Sequence, residues 1–146
     1  METYEKWEVV DNVKAPIAWL ELREDQLGLR VFSKCTEIEN GNGVDFSVSF
    51  DTVAAYTVHK NAMHPALTQE TGDCPMLEGE EWEEHAFPCL KVSDSAWTGA
   101  FSAEQLKDLT GLTHYRVISL EQTLDVLTTA TPTGNWIQPK RKSRRR

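Results

Sequence analysis

No run of 18 or more apolar residues occurs in the chain, and Met1 to Asp11 hold three Glu and no apolar stretch of leader length. Neither a membrane-spanning helix nor a secretory signal is predicted. Cysteine is sparse: Cys35, Cys74 and Cys89 make an odd count with no Cys-x2-Cys pair. A disulfide framework is therefore the weaker reading, and reduced, mostly packed thiols in a cytoplasmic protein are expected. Also missing are a Gly-x-Ser-x-Gly elbow, a Gly-x-x-x-x-Gly-Lys phosphate loop and the Asp-x-Asp-x-Asp-Gly loop that would surround calcium. No internal repeat is evident. Cations are locally absent as well, since residues 70–84 contain seven carboxylates and no Lys or Arg.

What is present fits one globular domain. The 146 residues are 40% hydrophobic and 9% aromatic, and a chain of this length buries roughly 70% of its extended surface on folding. The formal charge of -8 conceals a division. Lys140, Arg141, Lys142, Arg144, Arg145 and Arg146 crowd the last seven residues, which leaves 9 basic against 23 acidic groups, a balance of -14, in residues 1–139. Such a body repels phosphate backbones and anionic membranes, and it attracts cationic surfaces.

Hydrophobic periodicity supplies the architecture. Val44 to Asp51 alternate apolar and polar without error, the pattern of a half-buried strand. Asn40-Gly41-Asn42-Gly43 precede it and Leu27, Leu29 and Val31 lie upstream, so a hairpin is expected. Ile17 to Leu22 read as an earlier strand, with Glu24-Asp25-Gln26 as the turn between. Val53 to Val58, Leu90 to Val92 and Tyr115 to Ile118 read as further strands, and Thr123 to Thr128 as a strand or a short helix, with propensity favouring strand. One helix carries a full start and stop signal: Ser102 and Gln105 form a capping box, Phe101 and Leu106 a hydrophobic staple, and Gly111 ends it. The fold class is α+β, predominantly antiparallel sheet with one or two short helices. A single acidic domain spans 1–139 with an acidic loop at 61–86; Pro132 to Arg146 read as an extended arm anchored by Trp136 and Ile137, its last residues, 140–146, forming the basic tail.

His59, His64, Cys74, His85 and Cys89 fall within thirty-one residues and are types that zinc accepts, but their gaps offer no knuckle, and Pro88 interrupts the His85–Cys89 pair. Packed cysteines and solvent-facing histidines are the plainer expectation; no metal, no cofactor and no catalytic residue is assigned. Glu78, Glu80, Glu81, Glu83 and Glu84 surround Trp82, which reads as a surface for a basic protein partner, the carboxylates steering and Trp82 anchoring. A solvated loop whose Trp82 folds back onto the body is the competing reading. Of the five tryptophans, Trp19 and Trp97 are expected in the core, while Trp7 and Trp136 clasp the termini. The tail could touch nucleic acid through phosphate contacts, although no aromatic is interleaved with its cations. A small enzyme of unknown reaction and a nucleic-acid accessory protein acting through the tail are the alternatives to a binding module.

Phe87 to Trp97, followed by His114 to Ile118 and Leu124 to Leu127, with Val44 to Phe50 and Ala55-Tyr56 ahead of them, resemble a layout of small bacterial proteins akin to the immunity proteins of toxin systems. The resemblance is one of pattern over the last third of the chain. It implies a small acidic α+β protein that acts by binding and transfers no catalytic residue. The basic tail departs from that pattern.

Overall fold

The computed structural model describes residues 2–26, 28–39, 42–67, 74–79 and 81–137. Its longest hairpin is the one the alternation predicts. β3 (Leu29–Glu39) and β4 (Asn42–Phe50) pair antiparallel, with Leu29 opposite Phe50, Val31 opposite Val48 and Ser33 opposite Phe46. These residues share one face, and all six are buried. Asn40 and Gly41, where the turn is expected, lie outside the described residues.

β2 (Ile17–Glu24) pairs with β3 through a turn at 25–28, closed by the Asp25 amide on the Gly28 carbonyl (3.1 Å) and the Gly28 amide on Asp25 Oδ1 (2.7 Å). On the far side of β4 lies β9 (Thr133–Ile137), so the order is β2-β3-β4-β9. The segment read as an extended arm is thus an edge strand up to Ile137. The basic run at 140–146 lies outside the described residues.

A second antiparallel sheet has the order β1-β6-β7-β8-β5. It comprises β1 (Thr3–Lys6), β5 (Ala55–Lys60), β6 (Cys89–Ser93), β7 (Thr113–Ile118) and β8 (Gln122–Thr128). Thr123 to Thr128 are strand, as propensity favoured. Two short helices, α1 (Ala96–Gly99) and α2 (Ala103–Leu106), connect β6 to β7. The capping box at α2 is formed: Ser102 Oγ accepts from the Gln105 amide at 3.1 Å, and Gln105 Oε1 accepts from the Ser102 amide at 2.8 Å. Among the described residues, no helix is long and apolar enough to cross a membrane.

The two sheets share one apolar cluster. Val31, Phe46, Val48 and Phe50 from the first meet Tyr115, Val117, Leu124 and Val126 from the second. Trp7 lies between them, its ring 5.9 Å from Phe50 and 4.4 Å from Tyr115, so it belongs to the core and does not clasp an end. Trp136 does clasp: it packs edge-on against Phe46, and its indole N–H donates to the Asp11 carbonyl at 2.9 Å.

Two further expectations about tryptophan fail. Trp19 is 56% exposed, because an irregularity in the β2–β3 register between Ile17 and Trp19 turns Ile17 and Leu20 inward and sends the indole out. Trp97 is half-buried outside the shared cluster, against Phe101 and His114. Cys35, Cys74 and Cys89 are free thiols. Burial pushes the Cys35 thiol up to about 12, with the charges of Asp45 and Glu37 adding to the effect, and it raises Cys89 as well.

Candidate functional site

β7 and β8 are buried on both faces, which is unusual for an antiparallel pair. Alternation sends Tyr115, Val117, Leu124 and Val126 into the shared core and leaves His114, Arg116, Thr123 and Asp125 on the opposite face. Register then places them. Arg116 stands directly opposite Asp125, and His114 is diagonal to it. On the other side of β8, Thr57 of β5 is opposite Asp125 and His59 is diagonal. One carboxylate is therefore flanked by imidazoles from two neighbouring strands.

Asp125 is the centre of this arrangement. Its Oδ1 accepts from Arg116 Nε at 2.8 Å and faces His114 Nε2 at 2.6 Å, and its Oδ2 faces His64 Nε2 at 2.6 Å. His64 arrives from the segment after β5, where a single 3₁₀ turn, Asn61–Met63, is fastened to the β7–β8 connection. Asn61 Nδ2 donates to the Ser119 carbonyl, and Thr123 Oγ1 donates to Asn61 Oδ1, both at 2.8 Å. The Ala66 and Leu67 amides point at His64 Nδ1 (3.1 and 3.3 Å). An Nδ1 that accepts leaves the ring proton on Nε2, where it is donated to Asp125.

His114 is the second imidazole on Asp125. Its Nδ1 lies 2.8 Å from Ser95 Oγ, which caps α1 by accepting from the Thr98 amide at 3.1 Å. Asp125 Oδ1 can only accept, so His114 Nε2 carries a proton and donates to it, while His114 Nδ1 and the Ser95 hydroxyl share the second hydrogen bond. Arg116 extends the network outward: Nη2 lies 3.6 Å from Glu2 Oε1, which also accepts from the Tyr4 hydroxyl, and Glu2 Oε2 accepts from the Ala96 amide at 2.9 Å.

Burial alone would raise the Asp125 carboxyl, but the hydrogen bonds from His114 and His64 and the Arg116 charge outweigh it and hold the group well below the usual carboxylate range. Burial works against the Arg116 charge too, and Asp125 and Glu2 more than offset it, so the guanidinium is raised. With His64, His114, Arg116 and Asp125 side chains all at or below 4% exposure, removal of any single partner would leave a buried polar group uncompensated.

Ser95, His114 and Asp125 run in the order hydroxyl, imidazole, carboxylate, the connectivity of an acyl-transfer relay. Here the hydroxyl is buried, commits a lone pair to capping α1, and lies in the segment whose Trp97 covers the His114 ring at 5.3 Å. In this arrangement the chain braces α1 and the sheet.

None of this was assembled from the sequence. The expected solvent-facing histidines are corrected at His64, which is buried; His114, to which no role was assigned, is buried as well. Of the cluster considered for metal, His59 and His64 do meet, with ring centroids 5.2 Å apart. His85 packs on Trp82 instead, and Cys89 is in the core. The residue that joins the two histidines is Asp125, one of 23 carboxylates and more than sixty positions from either histidine. The readable signal was Asp125 itself, an acid in the middle of a strand of otherwise apolar and threonine side chains.

The acidic segment is tied at its base. Met76 pairs with Ala86, the Leu77 amide donates to the His85 carbonyl, and the Phe87 amide donates to the Pro75 carbonyl. Leu77 and Phe87 are buried. Trp82 is half-buried, packed against the core cluster and edge-on to His85 at 5.5 Å. Glu78, Glu81, Glu83 and Glu84 are exposed, and Lys6 Nζ reaches Glu78 at 3.5 Å. Glu80 lies outside the described residues. The structure thus places the carboxylates outward while part of the Trp82 ring remains at the surface. A separate cleft of about 230 Å3, lined by Glu24, Asp25, Gln26 and Tyr56 among others, adds further acid to the surface.

Compared with protein-family models, curated proteins and solved structures, the chain matches none of them.

Proposed function

We propose that the protein is a binding module that captures a basic protein partner in the cytoplasm, in the manner of a toxin-system immunity protein. The observation that carries this reading is the tethered acidic segment. Four exposed carboxylates stand on a stretch pinned by the buried Leu77 and Phe87 and by the Met76–Ala86 bridge, so they are presented from an anchored base. Pre-organised charge of one sign speeds encounter with an oppositely charged surface and costs little ordering on binding. Trp82 supplies apolar area beside these charges, the kind of residue that interface centres favour. The free thiols support a reducing compartment.

A small enzyme would rest on the Asp125 cluster. That reading ranks second because the cluster's groups are covered and hydrogen-bonded to one another.

The test is capture from a native lysate by the immobilised intact chain and by a chain carrying Glu78→Lys, Glu81→Lys, Glu83→Lys and Glu84→Lys. A single basic protein retained by the first and lost by the second supports the reading and identifies the partner. Equal retention by both removes the segment from the mechanism.

A further inference from the structure

We infer that His59, His64 and Asp125 form a binding site for one divalent transition-metal ion of the zinc class, a site that goes beyond the partner-binding reading and does not depend on it. One ligand atom from each residue lies within 4.8 Å of the other two. Zinc holds imidazole nitrogen and carboxylate oxygen at about 2.0–2.2 Å, so donors around a tetrahedral ion sit about 3.3–3.5 Å apart. To reach that spacing His59 must swing inward, and His64 Nε2 and Asp125 Oδ2, now 2.6 Å apart, must part by a little under about 1 Å as the proton between them is displaced.

A second observation points to a missing ligand. His59 Nδ1 is buried and has no hydrogen-bond partner, whereas the polar groups around it are engaged: Asn61 with Ser119 and Thr123, His64 and His114 with Asp125. A buried nitrogen left without a partner is unfavourable, and a metal ion bound at it removes that cost.

The surroundings also have the form of a metal site's outer layer. Asp125 Oδ1 is held by His114 Nε2 and Arg116 Nε, which orients Oδ2, the oxygen facing His64, as a single-oxygen ligand. Metal-binding carboxylates are positioned by outer hydrogen bonds of this type. Two imidazoles and one carboxylate favour zinc, cobalt or nickel over calcium or magnesium, which prefer all-oxygen shells. Three protein ligands leave a fourth position for water.

Loading has a defined proton balance. The ion takes the place of the proton between His64 Nε2 and Asp125 Oδ2. That proton moves to His64 Nδ1, so the ring stays a neutral imidazole and gives up the contacts from the Ala66 and Leu67 amides.

The experiment uses the full chain stripped with chelator. Zn2+ titration by calorimetry should give one saturable site, and Co2+ should give the visible absorption of a tetrahedral nitrogen and oxygen shell without a thiolate charge-transfer band. His59→Leu should weaken Zn2+ at least about a hundredfold while leaving the thermal unfolding of the metal-free protein in place, since His59 Nδ1 holds no partner. Asp125→Asn should also abolish binding, but His59→Leu decides the matter because it spares the buried network. Amide resonances of Ala66 and Leu67 should shift on loading. No saturable Zn2+ uptake by the intact chain, a thiolate band with Co2+, or undiminished uptake by a folded His59→Leu protein would each overturn the assignment.

Discussion

Asp125 is the residue on which fully buried side-chain hydrogen bonds among the described residues converge. It accepts from Arg116, His114 and His64, and these reach the chain's second residue, the turn after β5 and the start of α1. Its carboxyl is held below its ordinary range in the folded state, while in the unfolded chain it titrates near about 3.9. A depressed folded value means that the carboxylate contributes stability fully above about pH 5 and loses it as pH falls through about 4 towards the folded value. Urea unfolding followed from pH 6 to pH 3 should show this fall. In Asp125→Asn the share due to this group should vanish, with a loss of about 3–5 kcal/mol already present at pH 6, because Arg116 is left buried without its main counter-charge. An Asn variant as stable as the parent at pH 6 would mean that the network holds nothing in place.

At the scale of elements, legibility followed from how local each signal was. β4 was readable because Val44 to Asp51 alternate without error, and α2 because Ser102 and Gln105 are three residues apart. β1 and β9 were not read as strands. Thr3-Tyr4-Glu5-Lys6 and Thr133-Gly134-Asn135-Trp136-Ile137 are short, and each is a strand only because β6 or β4 offers it a ladder. Trp19 was misplaced for a related reason, since a register irregularity leaves no mark on composition. The buried cluster needed three pairings at once, β7 with β8, β8 with β5, and the 61–67 segment over both, and spacing along the chain encodes none of them. The acidic segment, by contrast, was plain as composition; what the sequence withheld was that its base is fastened and Trp82 packed.

Gly134 tests how β9 is held. A Cβ there would lie 2.6 Å from the Val9 carbonyl oxygen and 2.7 Å from Val9 Cγ2, so residues 9–11, which Trp136 clasps at the Asp11 carbonyl, pass directly against β9. Gly134→Ala should destabilise by about 1–3 kcal/mol through overpacking, visible as a lower urea midpoint with an unchanged slope. Stability equal to the parent would show that residues 9–11 yield freely and that the clasp at Trp136 is loose.

The whole molecule joins a body with a balance of -14 over residues 1–139 to a basic run at its end. The body's charge is displayed at Glu78, Glu81, Glu83 and Glu84, whereas His64, His114, Arg116 and Asp125 are turned inward and hydrogen-bonded to one another. That division is why partner binding is proposed at the surface and a metal at the Asp125 cluster. The most direct test is the association rate of the captured partner with the intact chain and with the chain reversed at the four glutamates, measured against ionic strength. Electrostatic steering predicts a rate about 10-fold or more higher for the intact chain at low salt, with the two rates converging as salt rises past about 0.5 M. Rates that coincide at low salt, or that do not respond to salt in either chain, would contradict the acidic segment as the docking surface.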